Sequence, residues 1–340
     1  MNSRRTPARG DVFTAGGTLD TRGLQRLQSS AVVRWVAIAI LAAGVIVLFN
    51  AGDPFTLQVL TVALLNAAIT VSLSISFGFA GIFNLSQGSF YGLGAYAAAI
   101  LITDVGVPFW VALLGSIAVA SIFGVLMGFV AVRLRDDYFA FASIAFTIII
   151  TQALINLPEL TRGGTGFFGI PVVDIFGWRI ATGRDSFLLA AIGFTVVFLV
   201  THRVTRSFFG RAMLAVNHDE MSAKAVGVSV VFTRVVAMGL SSALAGLSGC
   251  LLTVTMLYIQ PSDFSTVLSM NVTLWSIIGG PTSLIGSAVA GGGITFLQEN
   301  IRAIVDYRLA ILGIVVLIAV YLRGGVLRRP SWMRLPKGTR

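Results

Sequence analysis

The sequence predicts an all-α protein that crosses a membrane about ten times, and three observations carry that prediction. Hydrophobic residues make up 56% of the 340-residue chain and charged residues only 11%, with a mean hydropathy of +0.89. A soluble domain of this length could not bury so much apolar surface. Apolar stretches of about 20 residues, enough helix to span a hydrocarbon core of about 30 Å, recur along the whole chain. The basic residues gather between and beyond those stretches, where they fix topology.

In chain order the expected spans are 34–50, 55–77, 88–104, 107–132, 138–156, 187–201, 232–257, 265–280, 282–298 and 308–323, with eight as the lower bound. A polar, Arg-rich lead over residues 1–31 precedes them and reads as disordered and uncleaved, because no small-residue cleavage site follows the first apolar run. Residues 32–323 form the transmembrane domain and 324–340 a second basic tail. An even span count puts both tails in the cytoplasm, together with the connector 202–231 and its flanking Arg203, Arg206 and Arg234. The opposite connector, Leu157 to Ser186, carries Glu159, Asp174 and Asp185 against Arg162, Arg179 and Arg184, so its charges cancel as an outer loop's should. The net charge of +10 is therefore juxtamembrane charge facing anionic lipid and is not a nucleic-acid surface.

Two segments interrupt the helical pattern. In FGFAGIFNLSQGSFYGLGAYAAAIL, Gly78, Gly81, Gly88, Gly92 and Gly94 crowd together with Asn84, Ser86, Gln87 and Ser89. In IIGGPTSLIGSAVAGGGITFL, Gly279, Gly280, Pro281, Gly286 and Gly291 to Gly293 do the same at a comparable place in the second half. Irregular backbone at membrane depth has to line a cavity or be buried in protein, and paired breaks point to a substrate path. Close helix packing through small residues explains the same glycines. Asn84, Ser86, Gln87, Tyr91, Gln152 and Asn271 are the candidates for lining a path.

Several kinds of chemistry are missing from the sequence. No GxxxxGK[ST] phosphate loop, HExxH or GxSxG occurs, and His202 and His218 are the only histidines. No catalytic residue, metal site or bound cofactor is expected. Cys250 is the single cysteine, inside an apolar run, so no intrachain disulfide can form. No Asp, Glu, Lys or Arg falls in the middle of an expected span, which weighs against a proton-coupled carrier.

The densest polar feature is GRAMLAVNHDEMSAKAVG, Gly210 to Gly227. Asn217 can cap a helix with Glu220 three residues later in a capping box, and Asp219 and Glu220 then occupy a first turn where the helix dipole favours negative charge. Gly227 can end that helix in a left-handed conformation. A helix of about two turns does not persist alone in water, so it requires a partner surface.

This stretch, with Arg234 and ALAGLSGCLLT behind it, resembles the cytoplasmic loop of the branched-chain amino acid permeases of ATP-binding cassette (ABC) importers, which reads like GRALRAIRENEIAAEAMGI. FGFAGIFNLSQGSFYGLGAYAAAIL is similar to that family's GYAGQLSLGHAAFFGIGAYTAAIL, LTRGGTGFFGIP to its TGGxxGL…P outer loop, and IIGGPTSLIGSAVAGG to its LGGxGSLxGPxxGA segment. The four motifs stand in the family's order between about residues 60 and 300. The resemblance implies a path formed by two permease subunits, two separate ATPase subunits docked on the cytoplasmic loops, and a periplasmic or lipid-anchored binding protein that delivers substrate. It implies a bacterial inner-membrane location, ATP hydrolysis on the partner subunits, and contact with the ATPase through Arg211, Asp219, Glu220, Ala223, Lys224 and Gly227. Lys224 stands where the family commonly has an acidic or neutral residue, and Asn84, Gln87 and Ser89 depart from its usual choices.

Three other readings fit the composition. A relative could carry urea, short-chain amides or another small solute. An ATP-independent secondary transporter or channel would take up substrate alone, and a scaffold subunit would have no path.

Overall fold

The computed structural model describes residues 53–300 except Arg135 and Phe176. The expected spans 34–50 and 308–323, the lead 1–31 and the tail 324–340 lie outside these residues.

Each expected span between 55 and 298 is a helix, but the helices differ in length. Helix α1 is Pro54–Leu73, opened by the Asp53 carboxylate accepting from the Phe55 N–H at 3.2 Å, and it runs on as a π-helical turn, Ser74–Phe79. Then come α2 (Gln87–Thr103), α3 (Phe109–Arg133), α4 (Asp136–Asn156) and α5 (Gly183–Arg206). Two short helices follow in the connector 202–231, α6 (Phe208–His218) and α7 (Glu220–Ala225), before α8 (Val230–Met256), α9 (Thr266–Gly279) and α10 (Leu284–Asn300). Among the described residues, five stretches are long and apolar enough to cross a membrane: 54–79, 109–133, 137–156, 183–206 and 230–256. The expected spans 88–104, 265–280 and 282–298 correspond to α2, α9 and α10, which have 17, 14 and 17 residues. At 1.5 Å per residue these reach only about 21 to 26 Å.

The long α1 and α8 form the buried centre of the described residues. Small residues let other helices approach α8 closely, as packing in a membrane favours. A methyl group at Gly124 of α3 would overlap the Ser242 hydroxyl, and one at Gly128 would lie 2.8 Å from Cα of Val235. The backbone of α2 at Gly94 likewise meets α8 at Gly246. By contrast α3 and α4 present Leu114, Leu126, Phe129, Phe141 and Ile149 outward, the pattern of helices facing lipid or another apolar surface.

The connectors collect at two ends. At one end Arg162 pairs with Asp104 at 3.1 Å, and strand β1 (Phe167–Phe168) pairs antiparallel with the later-occurring β4 (Tyr258–Ile259), Phe167 opposite Ile259. Between them β2 (Asp174–Ile175) and β3 (Trp178–Arg179) form a hairpin. The connector 157–186 is thus structured, with Thr182 and Asp185 closing a capping box at the start of α5. At the other end lie the first glycine-rich break, the α6–α7 pair and the turn at Gly280.

Candidate functional site

Two regions bring the sequence-predicted residues together, one at the connector between α5 and α8 and one deep between the helices.

In the loop, α6 is opened by Ser207, whose hydroxyl accepts from the Gly210 N–H at 3.3 Å. The chain extends for one residue at Asp219 and re-enters a helix as α7. Asp219, and not Asn217, is the cap: its Oδ1 accepts from the N–H groups of Met221 (2.9 Å) and Ser222 (3.3 Å), and its Oδ2 from the Ser222 hydroxyl (2.6 Å). The expected capping box fails because Asn217 still belongs to α6, where its amide donates to the carbonyl of Gly78 at 3.2 Å. The Ser222 hydroxyl, with the Ser222 and Met221 amides, holds the Asp219 carboxyl below the usual aspartate range. Glu220 turns away from the cap, pairing with Arg234 in the first turns of α8 and, at 4.0 Å, with Lys224. Gly227, at φ +85°, ends α7 as expected: its N–H reaches Lys224 O and that of Val228 reaches Ala223 O, both at 3.0 Å.

Asp219, Glu220, Ala223, Lys224 and Gly227 therefore surround one short helix. Ala223 is its inner side, buried against Val216 and Val230. Met221 and Val226, each 78% exposed, are its outer side, with Lys224 exposed between them in sequence. Arg211 stands apart on α6, its guanidinium 5.8 Å from the centre of the Phe208 ring, and Phe208 is itself 77% exposed. Sequence reasoning named the acidic and small residues of this helix as contacts and not Met221 or Val226; two apolar side chains on a helix too short to bury both its faces were the available signal.

The second region is the segment 80–86 between the π-helical turn and α2. It does not stay at the loop end. The Gln87 amide donates to the backbone of Ser241, eleven residues into α8, about 16 Å along that helix. The extended segment thus re-enters the bundle and α2 starts near the midpoint of α8, which is why α2 is short. A backbone without helical bonds has to find other partners at that depth, and polar side chains supply them. Leu85 N–H donates to Ser143 Oγ (3.0 Å), Leu85 O accepts from Thr147 (3.3 Å), Asn84 O from Thr273 (3.4 Å), and Ser86 N–H donates to Asn84 Oδ1 (2.9 Å). Gly88 N–H donates to Ser269 Oγ at 3.0 Å.

Gln87 stands at the centre of this network. Its amide donates to Ser72 Oγ (2.7 Å) and Ser241 O (3.3 Å), and its carbonyl accepts from Asn84 Nδ2 (3.2 Å). Ser241 Oγ donates to Ser72 O (2.9 Å) and receives a bond from Ser76 Oγ (3.2 Å). Asn84, Ser86 and Gln87 are all fully buried. The other path candidates lie elsewhere. Tyr91 packs edge-on against Phe264 at 5.6 Å, its buried hydroxyl without a hydrogen-bond partner among the described residues. Gln152 is exposed on α4, and Asn271 is half-buried on α9. Ser72 and Ser241 complete the network and were not singled out by sequence reasoning, since serine in an apolar run carries no distinctive pattern.

Residues 55–320 match the family described as "Branched-chain amino acid transport system / permease component". Among curated relatives, the high-affinity branched-chain amino acid transport system permease protein LivM of Escherichia coli (strain K12) is 27% identical over 296 residues, covering 80% of this chain and 70% of the relative. The corresponding permease protein BraD of Pseudomonas aeruginosa is 26% identical over 291 residues, covering 80% and 94%. The ribose import permease protein RbsC of Escherichia coli (strain K12) is 23% identical over 266 residues, covering 75% and 81%. No solved structure matches. With the family match spanning both the α6–α7 pair and the re-entrant segment, the chain belongs to the branched-chain amino acid transport system permease family.

Proposed function

We propose that this chain is the membrane-embedded subunit of an ABC importer and carries branched-chain amino acids, together with a second permease subunit. The observation that carries the reading is the family match over residues 55–320, reinforced by two relatives named for branched-chain amino acid transport that each cover four fifths of the chain. In this reading the chain has ten spans in the bacterial inner membrane, with both tails in the cytoplasm. Two ATPase subunits dock on the cytoplasmic loops of the permease pair, on this chain through α7, and a binding protein delivers substrate to the face built by Asp104, Arg162 and the β1–β4 pair. The chain itself catalyses nothing, and ATP is bound and hydrolysed by its partners.

The coupling role rests on the construction of α7. Met221 and Val226 present apolar surface outward, while Ala223 and the Glu220–Arg234 pair fasten the helix to the start of α8. A push on α7 would reach a helix running through the centre of the bundle. The translocation path would run beside the re-entrant segment, where Asn84, Ser86 and Gln87 exchange some of their internal bonds for substrate or water as helices move, with Tyr91, Gln152 and Asn271 along its course.

A second substrate reading has a specific support: the ribose import permease is similar over three quarters of this chain, so another small polar solute, such as a sugar, urea or an amide, is the alternative cargo. Isolating the partner binding protein and titrating it calorimetrically with leucine, isoleucine, valine, ribose and urea decides between them. For the importer reading, Glu220→Lys combined with Ala223→Arg is expected to remove ATPase subunits from the purified complex and abolish uptake. Unchanged co-purification and uptake would refute it, as would ion-driven uptake by this chain alone.

A further inference from the structure

We infer that Asn217 is a positioning residue linking the α6–α7 pair to the π-helical turn at the end of α1; this rests on the reading of α7 as the ATPase docking helix. Three observations converge on the contact. First, the chain leaves the helix just after Ser74–Phe79, so the Gly78 carbonyl stands where helix ends lose their internal partners. The amide of Asn217 supplies the bond at 3.2 Å across 139 residues of sequence. Second, Gly81 adopts φ +72° directly beneath that side chain, and a methyl group there would lie 2.7 Å from Asn217 Cγ. The fit leaves no slack on that side. Third, Asn217 sits two residues before the Asp219 cap and within the last turn of α6, where Asp219 N–H still bonds Ala215 O at 3.1 Å. A displacement of α7 therefore carries Asn217 with it.

The other side of the π-helical turn holds the deep network. Ser76 Oγ bonds Ser241 of α8 at 3.2 Å, Ser74 Oγ bonds Ser287 of α10 at 3.2 Å, and Ser241 joins Ser72 and so Gln87. Such π-turns recur at functional sites, and this one touches both the α6–α7 pair and the deep network. The Glu220–Arg234 pair delivers motion of α7 to α8, and Asn217 delivers it to α1 and the re-entrant segment.

The test uses the full complex with its binding protein in proteoliposomes, measuring substrate imported per ATP hydrolysed. Asn217→Ala removes the side chain, and Asn217→Asp keeps its shape but loses the N–H donor. Both variants are expected to retain bound ATPase subunits and to import about fivefold less substrate per ATP, the scale of one lost hydrogen bond. The ratio is read per assembled complex, so a merely structural role would lower yield and leave it unchanged. A ratio equal to the parent's in both variants overturns the inference. Loss of the ATPase subunits in both also overturns it, by placing Asn217 in docking. Failure of the docking reading shows separately, in the Glu220 and Ala223 substitutions.

Discussion

The two glycine-rich breaks look alike in the sequence and do different things in the fold. The first opens into a re-entrant segment, 80–86, that dives to the middle of α8; side chains of α4 and α9 bond its backbone, and Gln87 at its end bonds α1 and the backbone of α8. The second is a tight turn. Gly280 adopts φ +96°, Ser283 N–H returns to Gly280 O at 2.7 Å, and Ser283 Oγ caps α10 through Gly286 N–H at 3.2 Å. Its turn closes on itself between Gly280 and Ser287, and its one bond to the π-helical turn comes from Ser74 Oγ to Ser287 Oγ. The two meet where Gly78 lies against the Pro281 carbonyl. Glycine content alone marks where the helix breaks, while the polar residues that follow decide whether the chain turns back or goes inward.

The meeting point should be the most sensitive position. A methyl group at Gly78 would overlap the Pro281 carbonyl, which is backbone in a closed turn and cannot swing aside as a side chain does. Gly78→Ala is expected to cost about 3 kcal/mol, at the upper end of overpacking, read as a lower thermal midpoint of the detergent-solubilised protein. Gly293→Ala is the matched control, since nothing lies within 4 Å of a methyl group there. It should leave the midpoint unchanged or raise it slightly through helix propensity. Equal losses at the two positions would show that the breaks tolerate or reject side chains indiscriminately, and the contrast between them would collapse.

Next in size is the re-entrant segment's own dependence on Gln87. Gln87→Ala strips a partner from Ser72 Oγ and Asn84 Nδ2, both in fully buried residues. Each buried group left unsatisfied costs about 1–3 kcal/mol, so a loss of about 2 kcal/mol is expected after relaxation. The effect should fall on the first break only. Hydrogen exchange at the Leu85 N–H, bonded to Ser143, should speed up, while exchange at the Ser283 N–H, bonded to Gly280 O, should not. Equal acceleration at both would mean that the breaks unfold as one unit.

What the sequence makes legible follows from how far each interaction reaches. Helices between 55 and 298 are visible because hydrophobic length is a local property. So is the end of α7, since Gly227 needs only its own neighbours to adopt a left-handed conformation. The capping residue was misplaced by two positions because Asn and Asp cap equally well, and only the Gly78 carbonyl, 139 residues away, takes Asn217 out of contention. The site is legible to the same degree. Asp219, Glu220 and Ala223 lie within one turn and announce themselves by composition, whereas the Glu220–Arg234 pair and the serines around Gln87 depend on helices brought together from across the chain.

The smallest effect tests the link between the breaks. Ser287 Oγ donates to Gly280 O at 3.2 Å within the second break and accepts from Ser74 Oγ of the π-helical turn at 3.2 Å. Ser74 retains a second acceptor, the Thr70 carbonyl at 3.5 Å, so Ser287→Ala does not strand it. Gly280 O also keeps the Ser283 N–H. The expected cost is about 1 kcal/mol, one ordinary hydrogen bond. Because Ser74 lies in the chain between Ser72, which bonds Gln87, and Ser76, which bonds Ser241, combining Ser287→Ala with Gln87→Ala distinguishes two arrangements. Additive losses mean that the tight turn and the re-entrant segment are independent structures that happen to touch. A combined loss differing from the sum by more than about 0.5 kcal/mol means that the π-helical turn couples them, and a motion begun at either break would then be felt at the other.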